Sequence, residues 1–225
     1  MICARLFISL CSLRTTLFNN VMLDQRYSQG YDKRYSEDGF AYGTSPNEFL
    51  ASQSNKLTPN SRVLCLGEGE GRNAVSLAKL GHSVLGVDSS AVGIEKAKKL
   101  AESESVSIEA EVVDLKDFDI GEDKWEAVVS IFVHLPPPLR KSVHEKVVKG
   151  LKRGGVLILE AYTPKQLEYK TGGPSVAEMM MTLDGLISEL DGLDFEIGRE
   201  SERQVLEGKY HTGKASTVQV FARKP

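Results

Sequence analysis

From residue 62 onward, short apolar runs alternate with segments of helical periodicity. The runs predict strands at residues 62–66, 82–88, 106–114, 125–134 and 154–162. Helical patterns lie between them at residues 72–80, 91–103 and 138–149. Continuous apolar strands that are each followed by a helix are typical of a parallel sheet covered on both faces. The pattern therefore predicts an α/β fold.

The C-terminal part of the chain breaks this alternation. Residues 175–190 predict a helix, residues 194–206 a strand, 207–216 a loop and 217–224 a final strand. Two strands joined without a helix predict an antiparallel hairpin at the edge of the sheet. Before the first strand, Ser45 and Pro46 predict the cap and first turn of a short helix.

The first 22 residues differ in composition from the rest. Arg5 and Arg14 are present, and no acidic residue occurs before Asp24, which is typical of an organelle transit peptide. The apolar piece at 6–13 also suits a secretory signal, and translation starting at Met22 is a third possibility. We therefore expect a leader or extension at 1–22 and a single domain at 23–225. The predicted location is the cytoplasm, or a mitochondrion or plastid if the leader is a transit peptide.

Composition and charge narrow the function classes. The chain has 225 residues, 41% hydrophobic and 26% charged, with a net charge of -3. Without a basic surplus we expect no nucleic-acid partner, and no later apolar run is long enough to cross a membrane. The three cysteines, Cys3, Cys11 and Cys65, form no CxxC pair, so we expect no disulfide framework and no metal site. The oligomeric state is left open.

The loop after the first strand, "GEGEG" at 67–71, is the first candidate binding site, because open α/β sheets bind ligands at the carboxyl ends of their strands. Gly67, Gly69 and Gly71 allow a tight turn and a close approach to a ligand. Asp88 ends the second strand, where a carboxylate can accept hydrogen bonds from a ribose. Asp114 and Leu115 follow the third strand, where they can contact an adenine.

The acids in the glycine loop discriminate between cofactors. Glu68 and Glu70 would each repel a pyrophosphate by on the order of 1 kcal/mol. Arg72 stands where the dinucleotide fingerprint has glycine or alanine. S-adenosylmethionine carries a sulfonium and an ammonium and no phosphate. The loop therefore favours S-adenosylmethionine as the cofactor.

The stretches "VLCLGEGEGRNAVSLAKLG", "VLGVDSSAVGIEKAKKLA", "VVDLKDF", "VVSIFVHLPPPLR" and "LKRGGVLILEAYTP" resemble the successive motifs of class I S-adenosylmethionine-dependent methyltransferases. The "GEGEGRN" loop, "HLP" and "GKYHTGKASTVQVFARK" are similar to the small-molecule branch with tellurite-resistance and thiopurine methyltransferase-like proteins. The resemblance covers roughly residues 30 to 224. It implies a Rossmann-like, seven-stranded, mostly parallel sheet with helices on both faces and an antiparallel C-terminal strand.

The resemblance also implies roles for individual residues. The three glycines would wrap the methionine part of the cofactor, and Asp88 would hold the ribose. The other implied cofactor contacts are Ser89, Asp114 and Leu115 near the adenine, Ser130 and Ile131 at the methionyl end, and Arg34 with Tyr35 folded over the cofactor. Cys65 stands where the family commonly has an acid that organises the ammonium group. Glu68, in the neighbouring loop, is expected to supply that charge.

The predicted activity is methyl transfer from S-adenosylmethionine to a small-molecule nucleophile such as a thiol or a chalcogen oxyanion. His134, just after the fourth strand, is the candidate for acceptor orientation or proton removal; a structural role for its ring is the alternative. Tyr210 and His211 form a weaker candidate site in the last loop. Residues 162–181 predict an acceptor lid, although Met179, Met180 and Met181 also suit a core.

Two other functions compete with a methyltransferase. A scaffold or weak S-adenosylmethionine-binding protein is suggested by Cys65 at the place of the acid. A nicotinamide-dependent oxidoreductase is opposed by the two glutamates and by Arg72.

Overall fold

The computed structural model describes residues 30–225, so the predicted leader at 1–22 lies outside the described residues. The strands are β1 Arg62–Leu66, β2 Ser83–Asp88, β3 Glu109–Val112, β4 Trp125–Ile131, β5 Leu151–Tyr162, β6 Asp194–Glu207 and β7 His211–Arg223. The helices are α1, described over 30–35, and α2 Glu48–Gln53, α3 Arg72–Lys79, α4 Ala91–Ser103, α5 Pro137–Gly150, α6 Gln166–Tyr169 and α7 Leu183–Glu189.

The seven strands form one sheet in the order β3-β2-β1-β4-β5-β7-β6. Strands β1 to β5 pair in parallel, and β7 lies antiparallel between β5 and β6. This confirms the predicted fold class. The order reverses between β1 and β4, so the carboxyl ends of these two strands border a crevice, which is where such sheets bind ligands.

Both faces of the sheet are buried, as the continuous apolar strands require. Alternate residues of the central strands belong to two separate apolar clusters, one on each face. Trp125 anchors the first cluster from the start of β4, fully buried, with its indole nitrogen donating to the Ile120 carbonyl at 2.8 Å. The core therefore fixes the strand ends that carry the site.

The helix predicted over 175–190 is divided. A 3-10 turn at Ala177–Met179 is followed by an extended stretch, and α7 begins only after Thr182, whose hydroxyl accepts from the Gly185 amide. The Met181 amide instead donates to the Tyr162 carbonyl at 2.9 Å. A threonine that caps a helix and a backbone bond to β5 thus override the helical periodicity.

Two further boundaries differ from the prediction. The short α2 begins after Asn47, whose side chain accepts from the Leu50 amide, and not at Pro46. The predicted loop at 207–216 is mostly strand, because β6 and β7 continue their pairing as far as Glu207 and His211. Only residues 208–210 form the turn, and this brings Glu207 and His211 side by side.

No helix among residues 30–225 is long and apolar enough to cross a membrane. Within the same residues, no group of three or more His, Cys, Asp or Glu side chains has the arrangement of a metal site.

Candidate functional site

A cavity of about 570 Å³ opens at the carboxyl ends of β1 and β4. This volume lies within the range of small-molecule and cofactor sites. Its wall includes nine of the predicted site residues: Arg34, Gly67, Glu68, Asp88, Ser89, Asp114, Leu115, Ile131 and His134. The sheet topology therefore brings together residues that are far apart in the sequence.

Gly69 and Gly71, which were predicted to contact the cofactor, pack against other parts of the protein. Both have a left-handed backbone, with φ of 61° and 95°. A Cβ on Gly69 would lie 2.6 Å from the Tyr35 hydroxyl, and one on Gly71 would lie 2.7 Å from the Ala97 Cα. Of the three loop glycines, only Gly67 lines the cavity. The other two let α1 and α4 pack closely on the loop.

Glu68 occupies the N-terminus of α3. Its Oε1 accepts from the Asn73 and Ala74 amides at 3.0 and 2.8 Å, and a helix N-terminus is where a dinucleotide fold places its pyrophosphate. The protein thus supplies its own anion at that position. Burial raises the pKa of Glu68 to about 7, and the Cys65 thiol hydrogen-bonds the same carboxyl group. Cys65 is fully buried, with its thiol pKa raised by burial, which agrees with a strand residue and not a nucleophile.

The cations next to the glycine loop are already paired. Lys96 Nζ lies 2.9 Å from Glu70, and Arg72 Nη2 lies 2.7 Å from Glu207. Glu70 also accepts from the Ala41 amide at 2.7 Å, which fixes the segment after α1. Each of these two cations thus has a carboxylate partner, although Arg72 Nη1 makes no hydrogen bond. The charge around the loop suits a cationic ligand.

Asp88 lies at the end of β2, only 9% exposed. Its two oxygens accept from the Gly69 and Ser90 amides, at 2.9 and 2.8 Å. These bonds, with a further one from the Ser89 amide, hold the carboxylate in place while it lines the cavity, and the carboxylate still has lone-pair capacity for a ligand hydroxyl. Burial raises the pKa of Asp88 above its ordinary value.

The third and fourth strands complete this part of the wall. Asp114 forms a turn with the Lys116 amide and lines the cavity beside the buried Leu115. Ile131 lines the cavity at the end of β4. Ser130, predicted at the methionyl end, is buried inside the strand and does not line the cavity. Alternating side-chain direction explains the difference between these neighbours.

Aromatic residues of the N-terminal segment line the cavity together with Arg34. That Arg34 and Tyr35 fold over the cofactor stays a prediction. The Arg34 guanidinium donates to the Tyr42 hydroxyl at 3.0 Å and lies over the rings of Tyr31 and Tyr210, 5.4 and 5.0 Å from their centroids. Tyr35 is 5% exposed and packs on the glycine loop. We call Tyr31, Arg34, Tyr35 and Tyr42 the aromatic lid.

The ring of His134 is held at both nitrogens by backbone groups. Nδ1 lies 3.0 Å from the Phe132 carbonyl, and Nε2 accepts from the Tyr162 amide at 3.0 Å. A carbonyl only accepts and an amide only donates, so the proton sits on Nδ1 and the Nε2 lone pair is used. Burial lowers the pKa of His134 to about 3. The prediction of His134 as proton acceptor is therefore contradicted: the ring ties β4 to β5.

His211 is the other histidine of the cavity wall, and neither of its ring nitrogens bonds to the backbone as those of His134 do. It is 9% exposed, its Nδ1 is buried without a hydrogen-bond partner, and Glu207 Oε2 lies 4.0 Å away. Glu207 and Arg72 were not predicted as site residues. Glu207 and His211 flank the turn sequence "GKY". A turn placed at these three residues would have predicted that Glu207 and His211 pair across the hairpin.

A buried network of alternating charges supports this wall. Arg203 donates to both oxygens of Glu160, at 2.9 and 2.8 Å, and to Glu207 at 3.2 Å. Asn47 donates to Glu160 and to Glu207, at 2.6 and 2.9 Å. Two carboxylates and the guanidiniums of Arg203 and Arg72 balance in charge. Burial raises the pKa of Glu207, but the neighbouring His211 and Arg72 lower it to about 2, so Glu207 stays ionised.

The predicted acceptor lid at 162–181 lies partly over the cavity. Gly173, Pro174, Ser175 and Met179 line it. Met180 and Met181 instead belong to the two apolar clusters of the core. Met180 and Met181 thus confirm the core alternative for two of the three methionines, and the acceptor lid stays a prediction.

Residues 63–155 match the family model described as "Methyltransferase domain". The matched residues, fewer than half of the chain, are similar to a methyltransferase domain. The matched residues hold β1 to β4, the glycine loop, Asp88 and Asp114, which are the cofactor side of the cavity. The predicted enzyme class and cofactor are confirmed at the level of this domain.

Curated relatives act on different substrates. The tRNA (uracil(54)-C(5))-methyltransferase of Pyrococcus furiosus is 30% identical over 174 residues, which is 70% of this chain and 37% of that protein. The tRNA 5-carboxymethoxyuridine methyltransferase of Escherichia coli is 34% identical over 106 residues, 45% of this chain and 40% of that protein. The chain thus spans less than half of these relatives.

Solved structures share the fold across most of the chain. A protein described for the conversion of a disulfide bond into a thioacetal group during echinomycin biosynthesis superposes with a TM-score of 0.71 at 17% identity, covering 89% of this chain and 91% of that one. TehB from Haemophilus influenzae gives 0.66 at 19% identity, covering 88% and 67%. At these identities the likeness shows the fold alone, and the predicted small-molecule branch stays a prediction.

The residues present fit S-adenosylmethionine. Asp88 offers a fixed carboxylate for a ribose, and Glu68 places a buried acid at the glycine loop. The fit fails for a phosphate, because the amides at the α3 N-terminus are already bonded to Glu68. Residues that would hold the cofactor are therefore Gly67, Glu68, Asp88, Ser89, Asp114, Leu115 and Ile131, with Arg34 and Tyr35 above them.

Proposed function

We propose that the protein transfers a methyl group from S-adenosylmethionine to a small-molecule nucleophile such as a thiol, a hydroxyl compound or a chalcogen oxyanion. When bound, the cofactor supplies an electrophilic methyl group. The chain's own residues bind it, align the acceptor and exclude water. Alignment is the largest contribution such a site makes, worth roughly 7 to 11 kcal/mol.

One observation carries this proposal: the protein's own carboxylate caps α3 at the place where a nucleotide phosphate would bind, inside a cavity lined by Asp88 and Asp114. A cofactor with a ribose and an adenine, and with a positive charge instead of a phosphate, satisfies all three acids. This argues against the nicotinamide alternative on physical grounds.

The acceptor side of the cavity supports a small substrate. His211 lines the cavity and is 9% exposed, and the ring of Tyr42 in the aromatic lid packs on it. A nucleophile must enter this space to meet the methyl group. The tRNA relatives favour a nucleotide of RNA as a second candidate, but the net charge of -3 supplies no electrostatic attraction for a phosphate backbone.

Calorimetric titration with S-adenosylhomocysteine tests the cofactor assignment. Asp88→Asn should weaken binding by about 10- to 100-fold, because one charged hydrogen-bond acceptor contributes about 1.5 to 3 kcal/mol. Glu111→Gln, an exposed acid on β3 outside the cavity, is the matched control and should bind like the wild type. Equal affinity of all three proteins contradicts the site.

Labelled S-adenosylmethionine, offered with thiols, phenols, selenite, tellurite and total tRNA in parallel, then tests the acceptor. Methylation of one or more small molecules supports the proposal. Methylation of tRNA alone contradicts the small-molecule acceptor. Cofactor binding without any transfer supports the scaffold alternative.

A further inference from the structure

His211 occupies a protected position at the start of β7. Its ring contacts the rings of Tyr42 and Phe132, with centroid distances of 4.4 and 4.7 Å, and it lines the cavity. Phe132 follows the end of β4, next to the predicted methionyl end of the cofactor site. The histidine therefore faces the part of the cavity in which an acceptor would meet the methyl group.

Nε2 is the nitrogen of His211 that remains available to a ligand, because Nδ1 faces Glu207. Nδ1 is buried without a hydrogen-bond partner, with Glu207 Oε2 4.0 Å away, and Nε2 makes no hydrogen bond to a described residue. His134, in the same cavity, has both nitrogens bonded to the backbone. Between the two histidines of the cavity wall, only His211 can accept a proton from a ligand.

Glu207 is placed to orient that ring. It pairs directly with His211 across the hairpin, and its Oε2 lies 4.0 Å from Nδ1. This is longer than a hydrogen bond, as catalytic contacts often are before a substrate is bound. Arg72 at 2.7 Å and Arg203 at 3.2 Å hold the carboxylate in place, so a small movement of the histidine closes the contact.

The charges around His211 come from every element packed on it. These groups are Glu207 of β6, Arg72 of α3, Arg34 of α1, Tyr42 of the aromatic lid, Tyr162 of β5 and His134 after β4. Burial is the largest effect and lowers the pKa of His211, Arg72 and Arg34 lower it further, and Glu207 raises it. The imidazole is consequently neutral at neutral pH, the form a base requires.

We infer that His211 is a catalytic residue that removes the proton from the methyl acceptor, with Glu207 as its positioning residue, and that the acceptor is a protic nucleophile such as a phenol or a thiol. This inference rests on the proposed function. It replaces the sequence-based assignment of His134.

The proton and electron balance is simple. The acceptor's hydrogen moves to Nε2 of His211 as its oxygen or sulfur forms a bond to the methyl carbon. The bond from that carbon to the sulfonium sulfur breaks, and its electron pair stays on sulfur. The protonated His211, with Nδ1–H directed at the Glu207 carboxylate, then returns the proton to solvent. No oxidant or metal is required.

Acceptors of different acidity separate this role from a structural one. His211→Gln should lower kcat by about 10² to 10⁴ on a phenol that is protonated at the assay pH. It should lower kcat less than about tenfold on a substituted thiophenol that is already ionised, because no proton needs removal. His82→Gln, at the opposite end of β2, is the matched histidine control and should retain wild-type rates.

Two further measurements do not depend on the comparison of kcat between the phenol and the thiophenol. Added imidazole should restore part of the phenol activity of His211→Ala, which a purely structural role does not predict. In the protein without cofactor, the His211 ring signals in an NMR titration should report a lower pKa in Glu207→Gln than in the wild type. If Glu207→Gln does not fold, the His211 variants alone decide the outcome.

Equal losses on ionised and protonated acceptors, or no rescue by imidazole, overturn the inference while leaving the proposed function intact. A wild-type protein that methylates only ionised acceptors also overturns it. If the wild type methylates nothing, the proposed function and the inference fail together, and the S-adenosylhomocysteine titration shows whether the cofactor site survives.

Discussion

Replacing Glu68 with glutamine tests whether Glu68 supplies the negative charge for the cofactor's ammonium group. The resembling family commonly has an acid for this purpose at the position of Cys65. Glu68 is buried at the glycine loop and lines the cavity, and burial raises its pKa to about 7. A glutamine keeps an Oε1 atom that can accept the Asn73 and Ala74 amides at the start of α3. The substitution therefore removes the charge and preserves the helix cap.

The pKa sets the size of the effect. A carboxyl group with a pKa of about 7 is about 90% protonated at pH 6 and about 10% protonated at pH 8. A cationic ligand binds the ionised form, so the wild type should bind about tenfold more tightly at pH 8 than at pH 6. Binding should release about 0.9 proton at pH 6 and about 0.1 proton at pH 8.

Calorimetry of S-adenosylmethionine and S-adenosylhomocysteine binding, in buffers of different ionisation enthalpy, measures both quantities. Glu68→Gln should bind more weakly at pH 8 and lose most of the pH dependence. The titration of the ligand's own amino group is common to both proteins, so the difference between them isolates Glu68. Glu111→Gln should behave like the wild type. The same pH dependence in Glu68→Gln and the wild type would refute the reasoning.

Two predictions concern stability. Gly71→Ala should lower the unfolding free energy by about 2 to 4 kcal/mol, since a left-handed alanine is strained and its Cβ would lie 2.7 Å from the Ala97 Cα. The control Gly154→Ala, with φ of 78° and no atom within 4 Å of its Cβ, should lower it by only about 1 kcal/mol. Equal losses of the two variants in urea unfolding would rule out the clash with Ala97. Burial alone would raise the pKa of Glu189, but bonds from His144 and Arg140 lower it to about 2. Its stabilisation is present above the unfolded pKa of 4.5 and is lost as pH falls toward 2. Glu189→Gln should therefore be less stable than the wild type at pH 7 and approach it at pH 3, whereas the exposed Glu145→Gln should follow the wild type throughout; a gap that stays constant from pH 7 to pH 3 contradicts this.

The fold was accessible from the sequence because each central strand is a continuous apolar run followed by an amphipathic helix. The prediction failed where a local pattern competed with a tertiary contact. Residues 175–190 have helical periodicity, yet Thr182 caps a helix there and the Met181 amide bonds to β5. Such a contact between distant segments leaves no trace in periodicity.

The positions of Gly67, Asp88 and Asp114 in the cavity wall were also predictable, because strand ends and glycine spacing place these residues without knowledge of side-chain contacts. The acceptor side was not. His134 follows a strand end and satisfies the same positional rule, but the Phe132 carbonyl and the Tyr162 amide occupy its nitrogens. Which of the two cavity histidines has a ring nitrogen available to a ligand depends on hydrogen bonds between β4, β5 and the β6-β7 hairpin.

The crystal structure of the protein with S-adenosylhomocysteine bound tests the central claim most directly. We predict the ribose at the Asp88 carboxylate, the adenine beside Asp114 and Leu115, and the sulfur atom on the side of the cavity that His211 faces. A ligand bound outside this cavity, or inside it with the ribose away from Asp88, would contradict the account.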